Sequence, residues 1–212
     1  MINIQYPIIR AFYEEIKYPI REKPFQLNLL GVRSAKIAGK YSDTIICFFT
    51  NSKGDIYWRQ YPASTVPTGY WLLNPMQKTG CAILATGYHK DIWVDGLHKG
   101  KYPGFLQRGG DVTIYRDNSK DMNIDLDPST MQVGQFGINM HDYWSYNDMK
   151  ADQSSAGCQV LDQMHVSEIL QCWKWEKNTH KSKFLSYGLV NKEDLQDFIR
   201  NKFDFKNHEL EL

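Results

Sequence analysis

From Leu27 to Leu161 the chain is a succession of short apolar or alternating runs cut apart by turn formers, and this punctuation limits the fold more than any other feature. The runs expected as strands are Asn28–Arg33, Asp43–Thr50, Ile56–Ala63, Tyr70–Leu73, Cys81–Tyr88, Asp91–Leu97, Phe105–Gln107, Val112–Arg116, Phe136–Met140 and Cys158–Leu161. Between them stand Asn51-Ser52-Lys53-Gly54, Val66-Pro67-Thr68-Gly69 and Arg108-Gly109-Gly110, residues that accept the dihedrals of tight turns. Many short strands with frequent turns predict a mainly β chain of the α+β kind, built on an antiparallel sandwich or barrel-like sheet.

The period changes at both ends. Val166, Ile169, Leu170 and Trp173 keep helical spacing within 162–177, and a strand is expected over Lys183–Val190. Asn191 suits the N-cap of a last helix reaching Phe203, with Glu193 and Asp194 in its first turn. One or two C-terminal helices therefore complete the sheet. At the start, Ile8, Ile9, Phe12 and Ile16 share one helical side, opposite Glu14, Glu15 and Lys17, between Pro7 and Pro19. The expected organisation is an N-terminal arm (1–25), a main domain (26–190) and a C-terminal helix and tail (191–212).

Composition removes some functions. A net charge of +1 gives no basic field for nucleic acid. No apolar run approaches the ~18 residues of a membrane span. Arg10, Glu14 and Glu15 interrupt the region where a secretory leader would be apolar, so synthesis without a signal peptide, in the cytoplasm, is expected. The 13 Tyr, 10 Phe and 6 Trp suit strands, and such rings also line grooves for sugars and peptides.

The four cysteines, at 47, 81, 158 and 172, fit neither a zinc pattern nor a C-x-x-C redox motif. Cys47 lies in a buried-strand pattern and Cys172 beside Trp173 in a helix, both as small core residues. Cys158 differs, because Ser154-Ser155-Ala156-Gly157-Cys158-Gln159-Val160 places its thiol at a small polar turn. Seventeen residues earlier, Phe136-Gly137-Ile138-Asn139-Met140-His141 delivers an imidazole from an apolar run. A thiol and an imidazole on neighbouring strand ends are the minimum parts of a cysteine nucleophile. Gly157 permits close backbone approach, and amides of 157–159, in the turn that holds Ser155 and Gln159, could face an oxyanion.

Other candidates are less specific. His98, Arg108 and Arg116 could contact a substrate or be solvated surface residues. Asp121, Asn123, Asp125 and Asp127 alternate as oxygen ligands of calcium do, but Leu126 holds the sixth position, where such loops need glycine. An acidic surface loop is the other reading, and the site chemistry calls for no cofactor.

The stretch His141 … Ser155-Ala156-Gly157-Cys158 resembles the signature of YkuD-like L,D-transpeptidases, in which Ser-His-Gly-Cys follows a histidine at similar spacing. Upstream, Ser64-Thr65-Val66-Pro67-Thr68-Gly69-Tyr70-Trp71 resembles that family's Thr-Pro-x-Gly-x-Phe segment. The likeness spans roughly residues 43–190. It extends to phage and prophage proteins with a Gly-Ile-x-x-His … Ser-Ala-Gly-Cys-Gln form. The resemblance implies an L,D-transpeptidase fold, Cys158 as nucleophile, His141 as base and acid, oxyanion amides near Gly157 and Cys158, and Ser155 bracing the turn. It further implies peptidoglycan stem peptides as substrate: attack on the L-centred third residue, loss of terminal D-alanine, and resolution by an amine or by water. Three positions depart from the family: Ala156 for its second histidine, Val160 for its arginine, and Asp142 for a small residue. A phage-associated lysin acting at the wall after lysis or from a virion is one form of this reading, with phage structural or lysis partners meeting residues 1–25. A virion or tail protein that keeps the fold without catalysis is the alternative, and a cysteine acyltransferase or protease on another protein is a third.

Overall fold

The computed structural model describes residues 5–34, 36, 41–142 and 153–204. In chain order its main elements are α1 (Tyr6–Glu15), β1 (Asn28–Arg33), β2 (Asp43–Thr50), β3 (Ile56–Ser64), α2 (Gly69–Leu73), β4 (Cys81–Leu84), β5 (Gly87–His98), β6 (Tyr102–Gln107) and β7 (Val112–Asp117). There follow β8 (Gln132–Gly134), β9 (Met140–Asp142), β10 (Gln159–Leu161), α3 (Gln163–His180), β11 (Leu185–Asn191) and α4 (Lys192–Asn201). The chain is mainly β. Eight strands close into a barrel in the order β1-β11-β5-β6-β9-β10-β3-β2, and a second sheet runs β4-β7-β8.

Alternation along β2 explains its unbroken apolar reading. Ile45, Cys47 and Phe49 point into the barrel, while Ile46 and Phe48 point out against helices, so both faces are buried. The interior is filled by Leu29, Tyr61, Trp93, Phe105, Met140, Leu161 and Tyr187, joined by Val166, Ile169, Cys172 and Trp173 of α3. Gly31 is required here: a methyl group on it would lie 1.9 Å from the Tyr187 hydroxyl.

The structure differs from the strand expectations in four places. Tyr70–Leu73 belongs to helix α2, where the N–H groups of Trp71 and Leu72 donate to the Thr68 carbonyl; so short an apolar run fits either period. Cys81–Tyr88 is two strands, parted where Gly87 takes φ +147°, and β4 leaves the barrel for the second sheet. Of Phe136–Met140 only Met140 is in a strand, because the side-chain oxygen of Gln107 accepts the N–H groups of Phe136 and Ile138. The barrel is also not wholly antiparallel, since β1 pairs with β11 and β9 with β10 in parallel. A parallel pair needs a long connection, and residues 143–158 separate β9 from β10 in the sequence.

The N-terminal segment is fastened to the barrel. α1 buries Ile8, Ile9, Phe12 and Tyr13 in a core shared with Leu30, Ile46 and Phe48 of the barrel and Leu195 and Phe198 of α4. The apolar side of α1 is thus covered by the chain's own residues. Arg21 then grips the fully buried carboxylate of Glu176 on α3 with Nη1 and Nη2 of its guanidinium, while the Leu27 N–H donates to the same carboxylate at 2.8 Å. Among the described residues no helix is long and apolar enough to cross a membrane.

Candidate active site

The turn before β10 is tied by one hydroxyl. Ser155 Oγ accepts the Gly157 N–H at 3.0 Å and donates to the Cys158 carbonyl at 2.7 Å. Gly157 takes φ +139°, and a Cβ there would stand 2.3 Å from the Ala82 carbonyl oxygen, so only glycine fits. The Thr68 N–H and hydroxyl both donate to the Ser155 carbonyl, at 2.8 and 3.2 Å. The Pro67-Thr68-Gly69 segment is therefore in direct contact with the cysteine turn, although the two lie far apart in the chain.

Cys158 is partly exposed, and its thiol donates to the Gly137 carbonyl at 3.5 Å. Val160 pairs with His141 across β9 and β10. Facing residues of a parallel pair share a face, so Val160 lies beside His141, and Cys158 immediately precedes β10. No hydrogen bond joins the thiol to the imidazole among the described contacts. Of the three amides expected around an oxyanion, Gly157 N–H is committed to Ser155 and Gln159 N–H to the Asn139 carbonyl at 2.8 Å. The expectation narrows to the Cys158 N–H. Gln159 itself points into the barrel, where its amide oxygen accepts the Tyr187 hydroxyl at 3.1 Å.

His141 is buried, and its tautomer follows from its neighbour. Nδ1 lies 2.7 Å from the Asp142 carbonyl oxygen, which can only accept, so Nδ1 carries the proton and Nε2 the lone pair. Only the backbone of Asp142 is used, which any residue would supply. Val160 is fully buried beside His141. The His98 ring stacks on His141 with centroids 4.0 Å apart and planes 9° from parallel. Asn139 Oδ1 accepts the Gln107 N–H at 2.8 Å, which turns its amide nitrogen toward His98 Nδ1 at 3.0 Å. His98 Nδ1 is then an acceptor, and the ring is neutral with its proton on Nε2. His98 opens the turn 98–101, where Lys99 and Gly100 both take positive φ and the Lys101 N–H donates to the His98 carbonyl at 3.1 Å.

These surroundings move the two groups apart. Burial, then the neighbouring His98, pull His141 down to about 4. Burial pushes the Cys158 thiol up to about 11, against the weaker pull of an Asn139 backbone hydrogen bond and the Lys99 charge. Lys99 acts on both groups. Neither is charged at rest near neutral pH.

The remaining candidates scatter. Arg108 is exposed, with its guanidinium against the Gln107 carbonyl, and no described contact links it to the cysteine turn. Arg116 lines a groove that ends at Ala156. Asp121 caps a local turn by accepting the Asn123 N–H at 2.7 Å, and no group of three metal-ligating side chains occurs among the described residues. Cys47 and Cys172 are buried in the barrel core, and Cys81 donates to the Trp71 carbonyl at 2.9 Å. Gln107 and Asn139, not among the sequence candidates, also shape the site. Gln107 is 1% exposed, and its amide also donates to the carbonyls of Gly110 and Gly134, which fixes the segment carrying Gly137 and Asn139. A polar residue ending an apolar run was the only available signal. Comparison with protein-family models, curated proteins and solved structures finds no match for this chain.

Proposed function

We propose that the protein is a cysteine acyl-transfer enzyme on peptidoglycan stem peptides, with an L,D-transpeptidase-like fold. The observation that carries this reading is the tautomer of His141: its lone pair sits at Nε2, in the parallel strand pair that Cys158 immediately precedes. The contact of Thr68 with the Ser155 carbonyl supports it as well, since it joins the two segments that carry the family resemblance. In the proposed step His141 Nε2 takes the thiol proton as sulfur attacks a peptide carbonyl. The Cys158 N–H stabilises the oxyanion, and the imidazolium returns the proton to the departing amine. The thioester is then resolved by water or by a second amine. A phage-associated lysin is the form we favour, with phage structural or lysis partners meeting residues 1–25.

A second reading is a structural protein of the virion or tail. It is favoured by the thiol, which is held at about 11 and donates to the Gly137 carbonyl rather than to His141. Digestion of tetrapeptide-containing muropeptides by the protein and by Cys158→Ala, with and without an added D-amino acid, separates the two by product mass. Loss of D-alanine, exchange, or a cut crosslink that depends on Cys158 supports the enzyme. Absence of any Cys158-dependent product supports the structural protein.

A further inference from the structure

Beside the cysteine turn runs a groove of about 310 Å³, lined among others by Met76, Ala82, Arg116, Phe136 and Ala156. Arg116, on β7, stands opposite Ala82 of β4 in the antiparallel register. The Gly157 α-carbon packs against the Ala82 carbonyl, and Ala156 is two residues from Cys158, so groove and cysteine turn form one continuous surface.

The Arg116 guanidinium is fixed in place but its charge is not matched. Its plane lies over the Phe136 ring, 5.2 Å from the centroid. Nε donates to Gln132 Oε1 at 3.0 Å and Nη1 to the Gly80 carbonyl at 3.3 Å, both neutral acceptors. No carboxylate among the described residues pairs with it, and the neighbouring Asp117 spends its oxygens on Ser119 and the Asp125 N–H. The donors of Nη2 remain. A held guanidinium with one free edge matches a carboxylate better than any neutral group. The rest of the lining mixes apolar Met76, Ala82, Phe136 and Ala156 with the side-chain amides of Gln77 and Gln135, which can hydrogen-bond a peptide backbone.

We propose that this groove receives a peptide arm ending in a free carboxylate, held by Arg116 while a carbonyl of the same substrate meets Cys158. The inference rests on Cys158 being the nucleophile. It adds which end of the substrate is read, and by which residue. Arg116 is a specificity-determining residue in this arrangement.

The test needs no cell-wall substrate. Iodoacetylated dipeptides ending in a carboxylate or in a carboxamide are offered to the protein, and labelling of Cys158 is followed by peptide mass. Iodoacetamide normalises for thiol reactivity. The carboxylate form should label about tenfold faster than its amide, the yield of one charge-assisted hydrogen bond in a half-exposed setting. Arg116→Gln should bring the ratio to near one, and Arg116→Lys should keep part of it. Equal rates in the unmodified protein, or a preference that survives Arg116→Gln, would overturn the inference. Either result leaves the cysteine reading to the muropeptide digest, so the two can fail separately.

Discussion

At the scale of single residues, the site turns on two groups that shift away from each other. With the Cys158 thiol at about 11 and His141 at about 4, the resting pair is thiol and neutral imidazole, and no ion pair forms before substrate arrives. Iodoacetamide should therefore label Cys158 slowly at pH 7, with a rate that climbs tenfold per pH unit and levels off only near 11. A plateau already present near neutrality would mean a thiolate–imidazolium pair and contradict this electrostatic picture. Cys158, His141 and Ser155 were legible because a short motif holds them. His98 was legible only as a candidate of uncertain role, since its stacking on His141 depends on β6 lying between β5 and β9. Asn139 was invisible for the same reason: its meaning is a register, which a linear pattern does not carry.

Among the elements, the segment between β8 and β9 shows how a side chain can replace a strand. Gln107 offers Phe136 and Ile138 the hydrogen bonds that a neighbouring strand would otherwise give. Gln107→Leu should leave two backbone N–H groups stranded and cost on the order of 3 kcal/mol in urea denaturation. It should also change Cys158 labelling, because Gly137 and Asn139 belong to the same segment. A loss below about 1 kcal/mol would show that water fills the vacancy. β1 and β2 were readable from unbroken apolar runs, α3 from helical spacing, and α4 from Asn191 at its N-cap and the acidic first turn. Those set by a tertiary partner were not: α2 depends on its packing near Trp71 and the cysteine turn, and β8 on pairing with β7.

For the molecule as a whole, the buried titratable groups define a pH range of stability. His141 is protonated near 4 when folded, against an ordinary value of 6.5, so the unfolded chain binds more protons between these limits. Stability should be full above about 6.5 and fall as the pH drops toward 4, by on the order of 3 kcal/mol from this group. Cys158 acts at the other end: its contribution holds below its ordinary value of 9 and is lost as the pH rises toward 11. Thermal melts from pH 4 to 11 should trace a plateau between the two slopes. His141→Phe should flatten the acid slope while leaving the alkaline one, and an unchanged acid slope would assign that loss to other groups.

The parallel pairing of β1 with β11 has a mechanical meaning as well. These are the first and last strands of the ring, and they run side by side in the same direction. Tension applied ahead of residue 28 and beyond residue 191 would drag them past each other lengthwise, loading Leu30–Gly188 through Arg33–Asn191 together instead of one pair at a time. Once α1 and α4 had peeled away, the barrel would resist stretching along that line far better than across its antiparallel hairpins.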